Sequence, residues 1–248
     1  MHRFHLPPEL CIGDCLTLAG REAHHAADVL RLQRGDAVTV LDGDGCEYLC
    51  QVNEISRRSA VFSVTQKKVH PPAPCRITLC VAVPKGKIIE SVIQKATELG
   101  AAALVPLLTE RVATRLDDES AATKAGKWRQ VAIEAIKQCG QPWLPRVEPP
   151  VPLADYLRRA EVFDLALVGS LEGDGRHARS YFQALGAPPK SVRLWIGPEG
   201  DFTTAELDAI RQSGAKPITL GPLVLRVETA AIYALSLVNY EVSAPAVS

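Results

Sequence analysis

The sequence is short of aromatic residues, at 5%, holds a single methionine, and has no net charge, since 28 Lys+Arg balance 28 Asp+Glu. That balance excludes a chain that binds nucleic acid by overall positive charge, but not one with a local basic surface. No apolar run reaches the roughly 18 residues that a membrane-spanning helix needs, and the opening MHRFHLPPEL lacks a charged stretch followed by an apolar one. A cytoplasmic location is expected. Also missing are the nucleotide fingerprints: no G-x-G-x-x-G opens a helix, and Gly86-Lys87 lacks the earlier glycine of a phosphate loop. Seven cysteines occur without one C-x-x-C pair; Cys11 and Cys15 have three residues between them, as do Cys46 and Cys50. An odd number at those spacings argues against a disulfide framework and against zinc. No metal is expected, and the thiols are expected to be small buried hydrophobes in a reducing compartment.

What is present suffices for a buried core: 47% of the 248 residues are hydrophobic and 23% charged. The length favours two modest domains, and His70-Pro71-Pro72-Ala73-Pro74 is the expected linker, because clustered prolines continue neither a helix nor a central strand. Before it, VTVL (38–41), CEYLCQV (46–52) and AVFSVT (60–65) predict a small antiparallel sheet, with Asp42-Gly43-Asp44-Gly45 as a turn and one helix near 22–32. This first domain, residues 1–72, is expected to be β-barrel-like. From 73 to 248, apolar runs alternate with amphipathic helices, the pattern of an α/β domain with a mostly parallel sheet. Strands are expected at 77–83, 103–108, 164–169, 192–197 and 217–221, and helices at 87–99, 119–139, 204–213 and 228–241. Thr203 and Glu206 have the spacing of a capping box.

Three of those strands run into glycine: Val168-Gly169-Ser170, Ile196-Gly197-Pro198-Glu199-Gly200 and Leu220-Gly221-Pro222-Leu223. In an open α/β sheet, ligands bind beyond the carboxyl ends of strands, and glycine admits close backbone approach. One such loop alone is an ordinary turn; three together mark a site. Few cations accompany them, so a triphosphate fits poorly, whereas a nucleoside held by backbone groups and an apolar wall fits well. Arg226 and Glu228 follow the third loop, either bracing it through an ion pair of Arg226 with Glu199, Glu206 or Glu228, or handling substrate.

These residues resemble the SPOUT-class RNA methyltransferases, and within them the ribosomal RNA small subunit methyltransferase E family. The resemblance rests on Arg3-Phe4, EAHHAADVLRLQRGD (22–36), LDGDG (41–45), KGKIIESVIQKATELGAAALVPLLTERV (85–112), WRQVAIEAIKQCGQPWLP (128–145), IGPEGDFTTAEL (196–207) and LGPLVLRVETAAIYAL (220–235). It implies a PUA-like RNA-binding barrel followed by an α/β domain whose carboxy-terminal segment is threaded as a trefoil knot. It also implies a homodimer, and transfer of a methyl group from S-adenosylmethionine to N3 of a uridine in 16S ribosomal RNA, leaving S-adenosylhomocysteine. The donor-site residues implied are Gly169, Ser170, Leu171, Gly173, Ile196, Gly197, Glu199, Gly200, Leu220, Gly221, Leu225, Arg226 and Thr229. Arg226 would stabilise the uracil anion; Glu228 is a proton acceptor or a helix cap.

Arg3, Arg21, His24, His25, Arg31, Arg34, Lys85 and Arg111 are the expected RNA contacts, with Lys87, Arg115, Lys124, Lys127 and Arg129 as further cations. Residues 1–70 hold 8 Lys+Arg against 9 Asp+Glu, so contact with phosphates must come from a patch. His24-His25 fits equally a helix surface with one ring packed inward. The sequence departs from the family pattern at Asp201, where GPEGG has its last glycine; at Val227, where LRTET has threonine; and at Lys137 and Gln141. Asp201 is expected either to begin the cap of the next helix or to alter the loop. A non-catalytic ribosome-assembly protein, or an enzyme acting on another RNA nucleotide, shares the same features.

Overall fold

The computed structural model describes residues 1–111 and 118–243. The chain divides into two compact units, one of residues 1–72 with 133–144, the other of residues 73–132 with 145–248.

In the first unit, β1 (His2–His5), β2 (Cys15–Ala19), α1 (Gly20–His24), β3 (Ala37–Leu41), β4 (Cys46–Ile55) and β5 (Ser59–Val69) form one sheet in the order β1-β3-β4-β5-β2. Three pairings are antiparallel, as the alternating runs predict, but β1 lies parallel to β3. Four-residue β1 carries too little pattern to announce itself, and its pairing is set by distant residues. Register shifts at Leu49/Cys50 and Val52/Glu54 mark bulges in β4 and β5, which bend a sheet so that one face can enclose a core. Phe4, Leu16, Leu18, Val38, Val40, Val52 and Phe62 fill that face. The helix expected at 22–32 is instead five residues of α-helix followed by a π-type turn, His25–Val29, and Arg31 then stands at φ 53°.

The turn between β3 and β4 explains LDGDG. Buried Asp42 accepts hydrogen bonds from Asp44 N at 2.8 Å and Cys46 N at 2.9 Å, a side chain closing its own turn. Gly43 and Gly45 both take positive φ, and the Trp143 ring lies where a Cβ on Gly45 would be. Trp143 Nε1 donates to Pro71 O at 3.1 Å.

The second unit runs β6 (Arg76–Ala82), α2 (Ile88–Glu98), β7 (Ala103–Leu108), α3 (Asp118–Cys139, whose last turns from Ile133 belong to the first unit), β8 (Arg146–Val147), β9 (Val151–Pro152), α4 (Leu153–Arg158), β10 (Leu165–Gly169), α5 (Ala178–Gln183), β11 (Ser191–Ile196), α6 (Thr204–Gln212), β12 (Lys216–Ile218) and α7 (Val227–Ser243). Its strands pair in the order β12-β10-β11-β6-β7-β8, with β9 also on β7, and every pairing is parallel. Helices cover both faces, which is why these strands read as continuous apolar runs rather than alternating ones. Val168, Trp195, Cys80 and Val105 form a row across four strands and pack under α4 and α6; α2 and α7 pack together, and α7 also meets β6 and β11.

Thr203 and Glu206 make both halves of the capping box, which starts α6. Asp201 does not cap it. Instead Asp201 takes φ 60°, and its Oδ1 accepts from Phe202 N at 2.8 Å. A glycine suits that left-handed conformation best, and aspartate tolerates it because the carboxylate satisfies a local N–H. The third glycine strand is also shorter than expected: β12 ends at Ile218, three residues before Gly221. Of the cysteines, Cys50, Cys75 and Cys80 are buried, whereas Cys15 and Cys139 are exposed. Among the described residues no helix is long and apolar enough to cross a membrane.

Candidate donor site

A cleft opens at the carboxyl ends of β10, β11 and the β12 loop, where the sheet order places them side by side. Its walls are Gly169, Ser170, Leu171, Ile196, Gly197, Pro198, Glu199, Asp201, Leu220, Gly221, Leu223, Val224, Leu225, Val227 and Ala230. The structure thus brings the three glycine-bearing loops into one site. Gly173, Gly200, Arg226, Glu228 and Thr229 are not among the walls. Pro198, Asp201, Leu223, Val224, Val227 and Ala230 are walls that were not among the expected donor-site residues, although Pro198 and Leu223 lie in the glycine loops and Asp201 and Val227 stood out as departures from the family pattern; for Val224 the apolar run Leu223-Val224-Leu225 after Gly-Pro was the available signal.

Each loop is held by specific bonds. Ser170 N donates to Ile218 O at 3.1 Å, joining the first loop to β12. Farther along, Arg176 N donates to Pro217 O and Thr219 N to Arg176 O, and a Cβ on Gly175 would stand 2.7 Å from backbone atoms of Ile218 and Thr219. Only glycine permits that crossing. Ser170 Oγ donates to Asp174 Oδ1, and Arg211 reaches both Asp174 and Glu172. In the second loop, a Cβ on Gly197 would lie 2.8 Å from Asp201 Oδ1 and 3.1 Å from Phe202 N. Asp201 N donates to Pro198 O, Lys85 N donates to Glu199 Oε1, and the Arg111 guanidinium donates to Gly200 O. Burial, the main cause, holds the Asp201 carboxyl above its ordinary range.

Arg226 is exposed, and Glu228 is half-buried in the first turn of α7, where a carboxylate complements the helix dipole. The bracing role considered for Arg226 is not realised: Glu199 accepts from Lys85, Glu206 is engaged by Thr203 and Glu110 N, and no ion pair joins Arg226 to Glu228. Val227, in place of a hydroxyl residue, gives the cleft an apolar wall.

The family then follows from comparison with known proteins. Residues 71–239 match the model of an RNA methyltransferase domain, and residues 18–65 that of an RNA methyltransferase PUA domain. Ribosomal RNA small subunit methyltransferase E of Bacillus subtilis is 33% identical over 91% of this chain and 90% of its own length. The chain belongs to the ribosomal RNA small subunit methyltransferase E family. The Synechocystis member of this family is also 33% identical, over 96% of this chain and 77% of its own. Among solved structures, a Legionella pneumophila protein with bound SAM superposes with a TM-score of 0.86 at 33% identity, covering 95% of this chain and 96% of that one. The family member from Neisseria gonorrhoeae, bound to S-adenosyl methionine, gives a TM-score of 0.82 at 26% identity, with 95% of each chain covered.

The residues named as RNA contacts are scattered. In the first unit, Arg3 donates to Lys137 O and Gln138 O at the carboxyl end of α3. Arg21, Arg31 and Arg34 are exposed, while His24 pairs with Asp28 at 2.7 Å and His25 is half-buried. Lys137, at 10% side-chain exposure, sits between Glu22 and Glu134, so the basic residue here has acidic partners built for it. Gln141 Oε1 accepts from Trp143 N. In the second unit, exposed Lys85 and Arg111 flank the Glu199-Gly200 turn through the bonds above, and Lys87, Lys127 and Arg129 are exposed with Lys124 half-buried. Arg115 lies outside the described residues.

Proposed function

We propose that this chain transfers the methyl group of S-adenosylmethionine to N3 of a uridine in small-subunit ribosomal RNA. The observation that carries the reading is the three-loop cleft of the second unit, in a family member with solved relatives that hold this donor. Its walls suit the ligand: glycine backbone at Gly169, Gly197 and Gly221 allows close approach, Ile196, Leu220, Leu225 and Val227 are apolar, and no lysine or arginine is present to meet a phosphate. When bound, the donor supplies an electrophilic methyl on a positively charged sulfur.

The protein's part is to align and to stabilise charge. N3 of uracil loses its proton as the N–C bond forms, so negative charge develops on the base. Arg226, exposed beside the wall residue Leu225 and without an acidic partner among the described residues, would meet that charge. Lys85 and Arg111, both exposed and bonded to the Glu199-Gly200 turn, would receive phosphates of the incoming strand. In the first unit, taken by itself, the exposed Arg21, Arg31 and Arg34 would serve as RNA contacts.

The reading includes the knotted threading, supported by the tight crossing of Gly175-Arg176 over Ile218-Thr219. A homodimer in the cytoplasm belongs to it as well, and Leu223 and Val224, at 73% and 77% exposure, are apolar surface that a second copy would cover. The test is incubation with methyl-labelled donor and small-subunit RNA or particles, followed by nucleoside mass spectrometry. One 3-methyluridine is expected, and its formation should fall at least 100-fold in Arg226→Ala, on the order of an oxyanion-type contact. RNA binding without label would favour an assembly protein; label on another nucleoside would move the acceptor.

A further inference from the structure

The acidic residues around the cleft differ in whether anything neutralises them. Glu172 and Asp174 both pair with Arg211, at 2.9 and 2.6 Å. Glu199 is a wall residue, exposed, and bonded to the Lys85 amide rather than to an ammonium. Asp201 is a half-buried wall residue. One of its oxygens takes the Phe202 amide and packs against Gly197, and among the described residues no salt bridge is formed with it. Among the described residues, the charged groups that act on Asp201 from neighbouring elements are Arg111, whose guanidinium is occupied by Gly200 O, and Glu172 of the first loop.

We propose that Asp201 is a specificity-determining residue, whose carboxylate lets the cleft favour the cationic methyl donor over its neutral thioether product. The inference rests on the donor-site reading above. Methyl transfer breaks the S–CH3 bond, the electron pair stays on sulfur, and the ligand loses one positive charge. A fixed carboxylate on a partly desolvated wall therefore attracts the ligand before the reaction and no longer does so after it. Product inhibits nearly every enzyme that binds donor and product through shared adenosine contacts, and a charge-sensitive wall opposes this without a moving part. The Asp201 carboxylate is fixed within its own loop, since Oδ1 accepts from Phe202 N while the Asp201 amide donates to Pro198 O. Burial raises the Asp201 pKa, so the preference should weaken on acidification at a higher pH than an ordinary aspartate would give.

Calorimetric titration of the full-length protein with S-adenosylmethionine and with S-adenosylhomocysteine tests this. The two ligands differ only in the S-methyl group and the positive charge it brings, so the change in the ratio of their dissociation constants on neutralising Asp201 reads the sulfur charge. In Asp201→Asn that ratio is expected to shift towards product by about threefold to tenfold, with donor affinity falling and product affinity nearly kept. Asp201→Gly, which suits φ 60°, should give the same shift, so a folding defect in one variant does not decide the matter. The wild-type preference for donor should also weaken on acidification, at a higher pH than an ordinary aspartate would give, and by more than in Asp201→Asn at the same pH. An unchanged ratio in both variants, with both ligands still bound, would overturn the role of Asp201 alone. A wild-type protein that binds neither ligand would overturn the donor site itself.

Discussion

Arg211, in the last turn of α6, grips Asp174 at 2.6 Å and so fastens the first loop of the cleft to a helix that packs elsewhere on the sheet. Asp174 in turn accepts from Ser170, a wall of the cleft. Arg211→Ala should therefore loosen the loop and weaken donor binding by about threefold to tenfold, the scale of a partly exposed ion-pair network. The maximal rate at saturating donor should change less. Equal donor KM in variant and wild type would show that the loop holds its shape without the clamp.

Gly175 marks the place where two backbones pass closest. Gly175→Ala puts a methyl 2.7 Å from the Ile218 carbonyl carbon and Thr219 N, so one segment must move. A loss of about 1–3 kcal/mol is expected, read as a lower urea midpoint together with weaker donor binding.

The first unit offers a test of whether Arg3 serves RNA or the fold. Its guanidinium bonds Lys137 O and Gln138 O, carbonyls left open at the end of α3. Arg3→Ala should cost about 1 kcal/mol. Arg3→Lys should recover little, because an ammonium lacks the planar fork. If stability were untouched in both and RNA affinity fell only in Arg3→Ala, the residue would be a phosphate contact instead.

Thiol chemistry should separate the cysteines. Burial pushes Cys50 and Cys80 up to about 12, and Cys75 to about 11, so near pH 8 they are almost wholly protonated and unreactive. Exposed Cys15 and Cys139 should be alkylated first by iodoacetamide in the native protein. Peptide mass spectrometry reads the order, and prompt labelling of Cys80 would contradict the packing described here.

Much of the second unit was legible because its strands are buried on both faces, and such strands announce themselves as apolar runs ending in glycine. The capping box at Thr203 was legible for a similar reason: both partners lie within one turn of chain. Sequence reasoning failed where the partners are far apart. Nothing near His2–His5 says that it pairs parallel with β3, and nothing near Arg3 says that its charge meets α3. Arg193 is a further case. It stands inside the run VRLWIG, yet it is buried at 4% exposure, with its guanidinium 3.9 Å from the Phe163 ring centre and a bond to Glu161 O.

The three glycine loops, their order and the family pattern were determined by the sequence itself, since glycine, proline and capping residues act over a few bonds. Which of their neighbours form the wall was decided only by the tertiary structure. Asp201, Leu223, Val224 and Val227 entered the cleft, whereas Arg226 and Glu228 stayed off its walls. That choice depends on how the ends of β10 and β11 and the β12 loop converge, a matter of packing between residues up to about fifty positions apart. The departure that brings a charge to the cleft, a carboxylate at 201, was visible as a letter; its left-handed backbone and its lack of an ion pair among the described residues were visible only in three dimensions.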